Sequence, residues 1–303
     1  MHDITIQEPF RAIFYAPFYA ALARGDYAAE GVAVTLRSGT VPSLAKDAVL
    51  EGEADLAWGG PMRLFLAHDK DHASPLRLFG AVVMGDPFCL VGRKPRPGFA
   101  LTDLNAMTLA TVSEVPTPWW TLQDDLRRAG MDPDAIRRIT DASMEANAAA
   151  VLDGTLDCAQ LFEPYITRLE DAGCHVYHAQ ASRGPTSYTA FYSTVARIAE
   201  RRDEFEAMVR GLAVTLDWFD DASDAECARV VGPFFPDMVE SLLARCIGRY
   251  RALGIWTTDP RFPPEALARL ETAMLSAGAI RHSNGFAGMV AEEVVEDALT
   301  NAV

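Results

Sequence analysis

Two acidic residues are the strongest candidates for acid–base chemistry in this sequence. Glu114 follows one predicted strand and Glu163 follows another, so both side chains could face the same cleft. Paired carboxylates can exchange protons with a substrate, but they can equally bind a cationic group or cap helices. No GxSxG, SxxK, Walker or GxGxxG motif accompanies them. Binding is therefore favoured over catalysis, and Glu114 and Glu163 are the catalytic candidates only if the protein is an enzyme.

The histidines and cysteines do not form a recognisable metal site in the sequence. His68 and His72 share one face of a predicted helix, but the glutamate of an HExxH motif is missing, which favours ordinary surface residues. The five cysteines are odd in number and none lies at CxxC spacing, which favours reduced, mostly buried thiols over disulfides or a zinc ribbon. We therefore predict no metal and no cofactor.

Predicted strands and helices alternate along the first two-thirds of the chain. One unit runs over 3–84 and a second over 108–172, and Ala12 to Tyr15 is predicted to be a short strand within the first unit. This rhythm predicts an α/β protein with mostly parallel sheets and helices on both faces. The last third is predicted to be helical, at 197–219, 222–231, 238–253, 264–277 and 287–298.

Loops after the predicted strands form the candidate ligand site, because ligands of open parallel sheets bind beyond the carboxyl ends of the strands. Free N–H groups at the helix starts there attract carboxylate, sulfonate or phosphate oxygens. The alternatives are ordinary turns and, for the aromatic residues, core packing; one of Trp119 and Trp120 must pack inward because helix neighbours point in different directions. The candidate ligand-binding residues are Tyr15, Ser38, Thr40, Trp58, Gly60, Glu114, Thr117, Trp119, Glu163 and Tyr188.

The formal net charge of −15 limits the partners of the protein. An acidic surface repels nucleic-acid phosphates and anionic lipid, so we expect neither nucleic-acid binding nor membrane insertion, and a small molecule is the expected partner. A strand-like run begins directly after Met1 without a signal-peptide pattern, which predicts a cytoplasmic protein. A periplasmic protein trimmed of its signal peptide would look the same.

Five motifs occur in order and carry a family resemblance: YAAEGV at 27–32, LEGEADLA at 50–57, DPF at 86–88, LDGTLDCA at 152–159 and FEPY at 162–165. The sequence resembles the solute-binding family for sulfonates, nitrate and thiamine pyrimidine precursors over about residues 10–180. The resemblance implies the two-lobed type II periplasmic-binding-protein fold, with a mostly parallel sheet flanked by helices in each lobe and a helical C-terminal tail. Lobe one would comprise 1–86 plus 188–303, and lobe two 87–187.

This sequence lacks the reactive residues of the enzymes that resemble this family. The resemblance to fungal pyrimidine synthases implies a lysine and a histidine at the positions of Gly59 and Arg63. It also implies a cysteine cluster, which this chain lacks. Aromatic desulfinases of this fold imply a nucleophilic cysteine near the first strand, and residues 15–19 contain none.

We therefore predict a solute-binding protein that resembles the substrate-binding components of ABC transporters. Its two lobes would close on a small organic anion or heteroaromatic ligand of sulfonate or pyrimidine-precursor type, with an ABC-transporter permease as a further partner. One alternative is a cytoplasmic enzyme on the same scaffold, with decarboxylase-like or other acid–base chemistry on a small aromatic acid. Another is a cytoplasmic sensor that reports ligand binding through a partner protein.

Overall fold

The computed structural model describes residues 2–39 and 44–300. Its strands form two five-stranded sheets, each made of one continuous order of hydrogen-bonded neighbours. In chain order the strands are β1 (His2–Gln7), β2 (Val32–Arg37), β3 (Leu56–Gly59), β4 (Leu76–Val83), β5 (Cys89–Gly92), β6 (Thr108–Ala110), β7 (Arg137–Ile139), β8 (Cys158–Leu161), β9 (His175–Ala179) and β10 (Thr189–Thr194).

Helices connect the strands and fill the last third of the chain. They begin and end at recognisable signals: Pro17 lies in the first turn of the first helix, and Gly25 ends that helix with a left-handed φ of 78°. The helices are α1 (Ala16–Arg24), α2 (Asp26–Ala29), α3 (Leu44–Leu50), α4 (Met62–Lys70), α5 (Thr117–Arg128), α6 (Met144–Asp153), α7 (Tyr165–Asp171), α8 (Val195–Glu200), α9 (Arg202–Asp221), α10 (Asp224–Val231), α11 (Glu240–Ala252), α12 (Pro264–Ser276), α13 (Gly285–Met289) and α14 (Glu292–Thr300).

Both sheets are mixed, with one strand of each running against the others. The first sheet has the order β2-β1-β3-β10-β4, and β10 is antiparallel to both of its neighbours. The second has the order β7-β6-β8-β5-β9, and β5 is antiparallel to β8 and β9. The prediction of mostly parallel sheets is confirmed. The alternating strand–helix pattern missed β5 and β10 because both follow segments that cross between the sheets rather than a helix.

Three sequence predictions of local structure need correction. Ala12 to Tyr15 contains no strand, because Ile13–Tyr15 is a 3-10 turn that leads directly into α1, with the Tyr15 N–H donating to the Ala12 carbonyl at 3.1 Å. The helix predicted over 197–219 is divided at Arg201, and the helix predicted over 287–298 is two shorter helices separated by Val290 and Ala291.

The chain passes between the two sheets twice, at 84–88 and at 180–188. The helices that follow β10 return to the first sheet, where α9 packs on α1 and α2, and α14 packs on β4 and α9. Both lobe boundaries proposed from the family resemblance fall within the two crossing segments. The division of the chain into lobes at those boundaries stays a prediction.

All five cysteines are buried, in agreement with the prediction of mostly buried thiols, and their reduced state stays a prediction. His68 is also buried, contrary to the prediction of a surface residue, because its Nε2 lies 3.0 Å from the Leu76 carbonyl at the edge of β4. Burial lowers the pKa of this imidazole. Among the described helices, none is long and apolar enough to cross a membrane.

Candidate ligand-binding site

A cleft lies between the two sheets, at the carboxyl ends of β1, β3 and β6. The space in it that a water-sized group can occupy is about 40 Å³, so the cleft is narrow in this structure. Both sheets and both crossing segments contribute to its walls. The lining residues are Pro9, Phe10, Phe14, Tyr15, Gly60, Met62, Arg63, Phe88, Val115, Thr117, Pro118 and Tyr188.

Aromatic rings form much of the cleft wall. Tyr15 contacts Phe14 at a ring-centroid distance of 4.4 Å and Phe10 at 5.6 Å. Across the cleft, the rings of Phe88 and Tyr188 lie 6.4 Å apart. Rings held in contact with one another present an apolar surface that requires little ordering when a ligand binds.

Arg63 is the cationic group of the cleft. It lies in the first turn of α4, directly after β3, and is half-buried. Among residues 2–39 and 44–300, no carboxylate forms an ion pair with its guanidinium. Burial raises the pKa of the Tyr15 and Tyr192 phenols, and the positive charge of Arg63 opposes that rise in both. Both phenols therefore lie within electrostatic reach of the Arg63 guanidinium.

Polar groups under the cleft lack partners among the described residues. The Tyr192 hydroxyl and the Thr189 Oγ1 on β10 are both buried without a hydrogen bond. Tyr192 lies close to the cleft wall, because a Cβ atom added to Gly59 would be 3.3 Å from the Tyr192 ring and 4.0 Å from Pro9, a lining residue. Neither Tyr192 nor Thr189 is part of the lining set, so these hydroxyls lie beneath the cleft wall rather than in it.

A buried network around Asp86 supports the crossing segments. The Asp86 carboxylate, which is fully buried, accepts hydrogen bonds from the Tyr188 hydroxyl at 2.5 Å and from the Phe88 N–H at 2.9 Å. It also pairs with Arg183, whose guanidinium is held a second time by Asp125 at 2.5 Å. One carboxylate therefore positions two aromatic residues of the cleft wall, one from each crossing segment.

A family model described as NMT1/THI5 like matches residues 13–219, which is more than half of the chain. The chain belongs to the NMT1/THI5-like family. YtlA of Bacillus subtilis (strain 168), whose provisional name is that of a binding protein, is 24% identical over 301 residues, covering 97% of this chain and 89% of YtlA. The family resemblance carried by the sequence motifs is confirmed.

Solved structures share the fold of this NMT1/THI5-like chain at low sequence identity. The periplasmic aliphatic sulphonate binding protein SsuA from Escherichia coli is similar with a TM-score of 0.72 at 15% identity, covering 92% of this chain and 93% of SsuA. The desulfurization enzyme DSZB is similar with a TM-score of 0.74 at 14% identity, covering 100% of both chains. The predicted type II periplasmic-binding-protein fold is confirmed, and it hosts both binding and chemistry.

Four of the residues predicted to bind ligand line the cleft of this NMT1/THI5-like protein: Tyr15, Gly60, Thr117 and Tyr188. Gly60 lies between β3 and α4, and Thr117 is the first residue of α5, so both follow strand ends, where ligands of open sheets bind. Whether these four contact the ligand stays a prediction.

Trp58 lies in the core rather than in the cleft wall. Its side chain is fully buried and stacks on Phe18 with ring centroids 4.8 Å apart and planes 6° apart. Tyr19 covers an edge of the same indole. Successive strand residues point to opposite sides of a sheet, and the phase of β3 directs Trp58 towards α1.

Trp119 covers the outside of the second sheet. It is half-buried, packs beside a cluster that includes Leu90 and Leu109, and lies under the Arg138 guanidinium at 4.1 Å. We expect Trp119→Ala to lower the free energy of unfolding by about 1–3 kcal/mol, from lost apolar contact and the cation–π pair, with ligand affinity unchanged. Urea denaturation and calorimetric titration measure the two; a weakened affinity with stability preserved would return Trp119 to the ligand site.

Two of the remaining polar candidates, Glu114 and Ser38, form hydrogen bonds outside the cleft. The Glu114 side chain is exposed and accepts hydrogen bonds from the Ser113 hydroxyl at 3.0 Å and from the N–H of Met144, the first residue of α6, at 3.0 Å. Ser38 is exposed and accepts a hydrogen bond from Arg11 at 3.0 Å. Thr40 lies outside the described residues.

Glu163 is fully buried and does not line the cleft. Its carboxylate accepts hydrogen bonds from Arg249 Nε at 2.6 Å and from the Thr167 N–H at 2.9 Å and hydroxyl at 2.7 Å. Glu114 and Glu163 therefore do not form a facing pair in this structure. Each carboxylate satisfies backbone or arginine donors of its own surroundings.

Proposed function

We propose that this protein binds a small organic anion with an apolar or aromatic body between its two lobes, releases it unchanged, and so acts as a solute-binding protein. The observation that carries the proposal is Arg63, a cleft cation that forms no ion pair within the described residues. A half-buried cation without a carboxylate partner favours an anionic ligand group. The surrounding rings favour an apolar remainder of the ligand.

The net charge of the protein confines the attraction of an anionic ligand to the surroundings of Arg63. A protein with a net charge of −15 repels anions at long range, so an anionic ligand gains its favourable field only close to Arg63. Sulfonates and carboxylates have the oxygen acceptors with which a guanidinium pairs, and the sulphonate named for SsuA belongs to this class.

The chemistry of the cleft supports binding rather than catalysis. Among the residues that the structure describes, the lining set contains no carboxylate, imidazole or thiol. Burial raises the pKa of Tyr15 and Tyr188, so both phenols stay protonated at neutral pH and are poor bases or nucleophiles. The lining groups can therefore hydrogen-bond and pack against a ligand without accepting its protons.

A solute-binding role makes an ABC-transporter permease the expected protein partner. In this proposal lobe one (1–86 plus 188–303) and lobe two (87–187) would present a joint surface to the permease when closed. A transport role places the protein in the periplasm, whereas a sensor or carrier role places it in the cytoplasm. Fractionation of cells that carry the natural gene distinguishes these locations.

Native mass spectrometry and a thermal-shift screen test the proposal directly. The panel pairs each alkyl or aryl sulfonate and carboxylate with its neutral sulfonamide or carboxamide, so that charge is the only large difference. At a concentration of about 100 times Kd, a true ligand adds about 2.7 kcal/mol of stability. We expect the anions to stabilise the protein and to be recovered intact. Conversion of a hit into product would instead establish an enzyme.

A further inference from the structure

The cleft is too small for an aromatic ligand while its side chains stand as they do. A water-sized group can occupy about 40 Å³ of it, whereas small-molecule pockets usually measure about 300–1,000 Å³. An apolar cavity that admits benzene measures about 150 Å³. In this arrangement of the lobes, an aryl anion can therefore bind only if a lining side chain moves aside.

Most of the large side chains in the cleft wall are buried and supported from behind. Tyr15, Phe88 and Tyr188 have 3%, 2% and 7% of their surface exposed. The Tyr188 hydroxyl and the Phe88 N–H both donate to the Asp86 carboxylate. Met62, which is 3% exposed, packs in the core cluster of the first sheet. Closely packed side chains have no free space into which to rotate, so these residues are poor candidates for such a movement.

Phe10 differs from these residues because its ring is only half-buried. The ring has no polar atom, so packing alone holds it. Its centroid lies 6.1 Å from that of Phe14 and 5.6 Å from that of Tyr15. Phe162, in the loop after β8, stacks on it at 6.4 Å with ring planes 20° apart. The Phe10 ring therefore bridges the first-sheet side and the second-sheet side of the cleft.

The backbone on both sides of Phe10 is anchored by its neighbours. Glu8 is fully buried and accepts hydrogen bonds from Arg11 Nη2 at 2.6 Å and from the Tyr19 hydroxyl at 2.7 Å. Arg11 also donates to the Phe234 carbonyl at 3.1 Å. Rotation about its side-chain bonds is therefore the movement open to Phe10, and partly exposed side chains change rotamer within picoseconds to nanoseconds.

We propose that Phe10 determines the size of the ligand. With its ring in the cleft the protein binds compact alkyl sulfonates or carboxylates, and an aryl anion binds only by displacing that ring. This inference rests on the proposed binding function for the anionic group of the ligand. The occupation of the cleft by the Phe10 ring does not, so a neutral ligand can test it separately.

Calorimetric titration of methanesulfonate and benzenesulfonate into the unchanged protein and Phe10→Ala measures the size preference. We expect the unchanged protein to bind methanesulfonate more tightly than benzenesulfonate. Phe10→Ala should bind benzenesulfonate about 10- to 100-fold more tightly than the unchanged protein does, because the aryl ring no longer has to displace a side chain. Phe10→Leu, a smaller change to the packing, should give an intermediate gain. An unchanged ratio of the two dissociation constants in a folded Phe10→Ala protein would overturn the proposal.

Phe99→Ala is the matched control for the loss of an aromatic ring. Phe99 is also half-buried, and it stacks on Tyr177 with ring centroids 5.3 Å apart. Neither residue lines the cleft. Phe99→Ala should therefore leave the affinities for both sulfonates unchanged, and circular dichroism checks the fold of each variant. A gain in benzenesulfonate affinity in Phe99→Ala as large as that in Phe10→Ala would contradict a specific role of Phe10.

Benzene tests the place of the Phe10 ring without any anionic group. Removal of the ring should leave an apolar space beside Phe14, Tyr15 and Phe162, and apolar cavities bind benzene. We expect benzene to raise the Tm of Phe10→Ala and to leave that of the unchanged protein as it was. If neither sulfonate binds any variant while benzene stabilises Phe10→Ala, the proposed binding function fails and the occupation of the cleft by Phe10 stands. No effect of benzene on a folded Phe10→Ala protein would contradict that occupation.

Discussion

Arg63→Gln is expected to weaken the binding of an anionic ligand about 10- to 150-fold. A hydrogen bond to a charged group contributes about 1.5–3 kcal/mol, and about 1.4 kcal/mol corresponds to a tenfold change in Kd. Arg63 lines the cleft and makes no ion pair among the described residues, so its loss removes the ligand's charge partner without freeing a buried carboxylate. Isothermal titration calorimetry with the sulfonate or carboxylate found in the screen measures the change.

The controls separate charge from shape. Arg63→Lys keeps the charge but loses the planar two-point contact, so an intermediate loss is expected. The neutral sulfonamide or carboxamide partner of the ligand should bind the Arg63→Gln protein as well as it binds the unchanged protein. Arg229→Gln alters the net charge equally and should leave the affinity as it was. Full affinity for the anion in Arg63→Gln would place the anion site elsewhere.

Asp86→Ala is expected to lower the free energy of unfolding by about 3–5 kcal/mol, the usual effect of removing one member of a buried ion pair. Arg183 would lose the partner that neutralises it in the interior, with only Asp125 remaining. The Phe88 N–H and the Tyr188 hydroxyl would also lose their acceptor. Urea denaturation measures the stability, and because both aromatic residues line the cleft, ligand affinity should fall as well.

Tyr188→Phe is the matched comparison for the Asp86 network. It removes one hydrogen bond but leaves Asp86 with Arg183, Gln180 and the Phe88 N–H, so the expected loss is about 1 kcal/mol. Equal losses in Asp86→Ala and Tyr188→Phe would show that the pairing of Asp86 with Arg183 contributes little to stability.

Strand and helix order could be predicted from the sequence because apolar spacing and glycine or proline breaks are local signals. The segment Ala12 to Tyr15 shows the limit of that reasoning. Four consecutive apolar or aromatic residues fit a buried strand and a buried 3-10 turn equally well, and only the neighbouring Pro17 and the surrounding core select the turn.

The ligand site could be predicted only as a set of loops. Tyr15 and Trp58 carry the same kind of side chain at the same kind of position, yet one lines the cleft and the other stacks on Phe18. In the sequence, Arg63 stood out only because it occupies the position at which the resemblance to related enzymes implies a histidine. Its importance depends on which carboxylates reach it, and no local pattern contains that information.

The sequence by itself determined the alternating α/β architecture, the family and the acidic surface, because composition, periodicity and ordered motifs follow directly from residue identity. The tertiary structure decided which strand-end residues meet in the cleft and that Glu163, in the loop after β8, pairs with Arg249 of α11. It also decided that Asp86 holds two aromatic residues of the cleft wall. These are long-range contacts, and which charged groups become partners depends on packing between segments that are far apart in the chain.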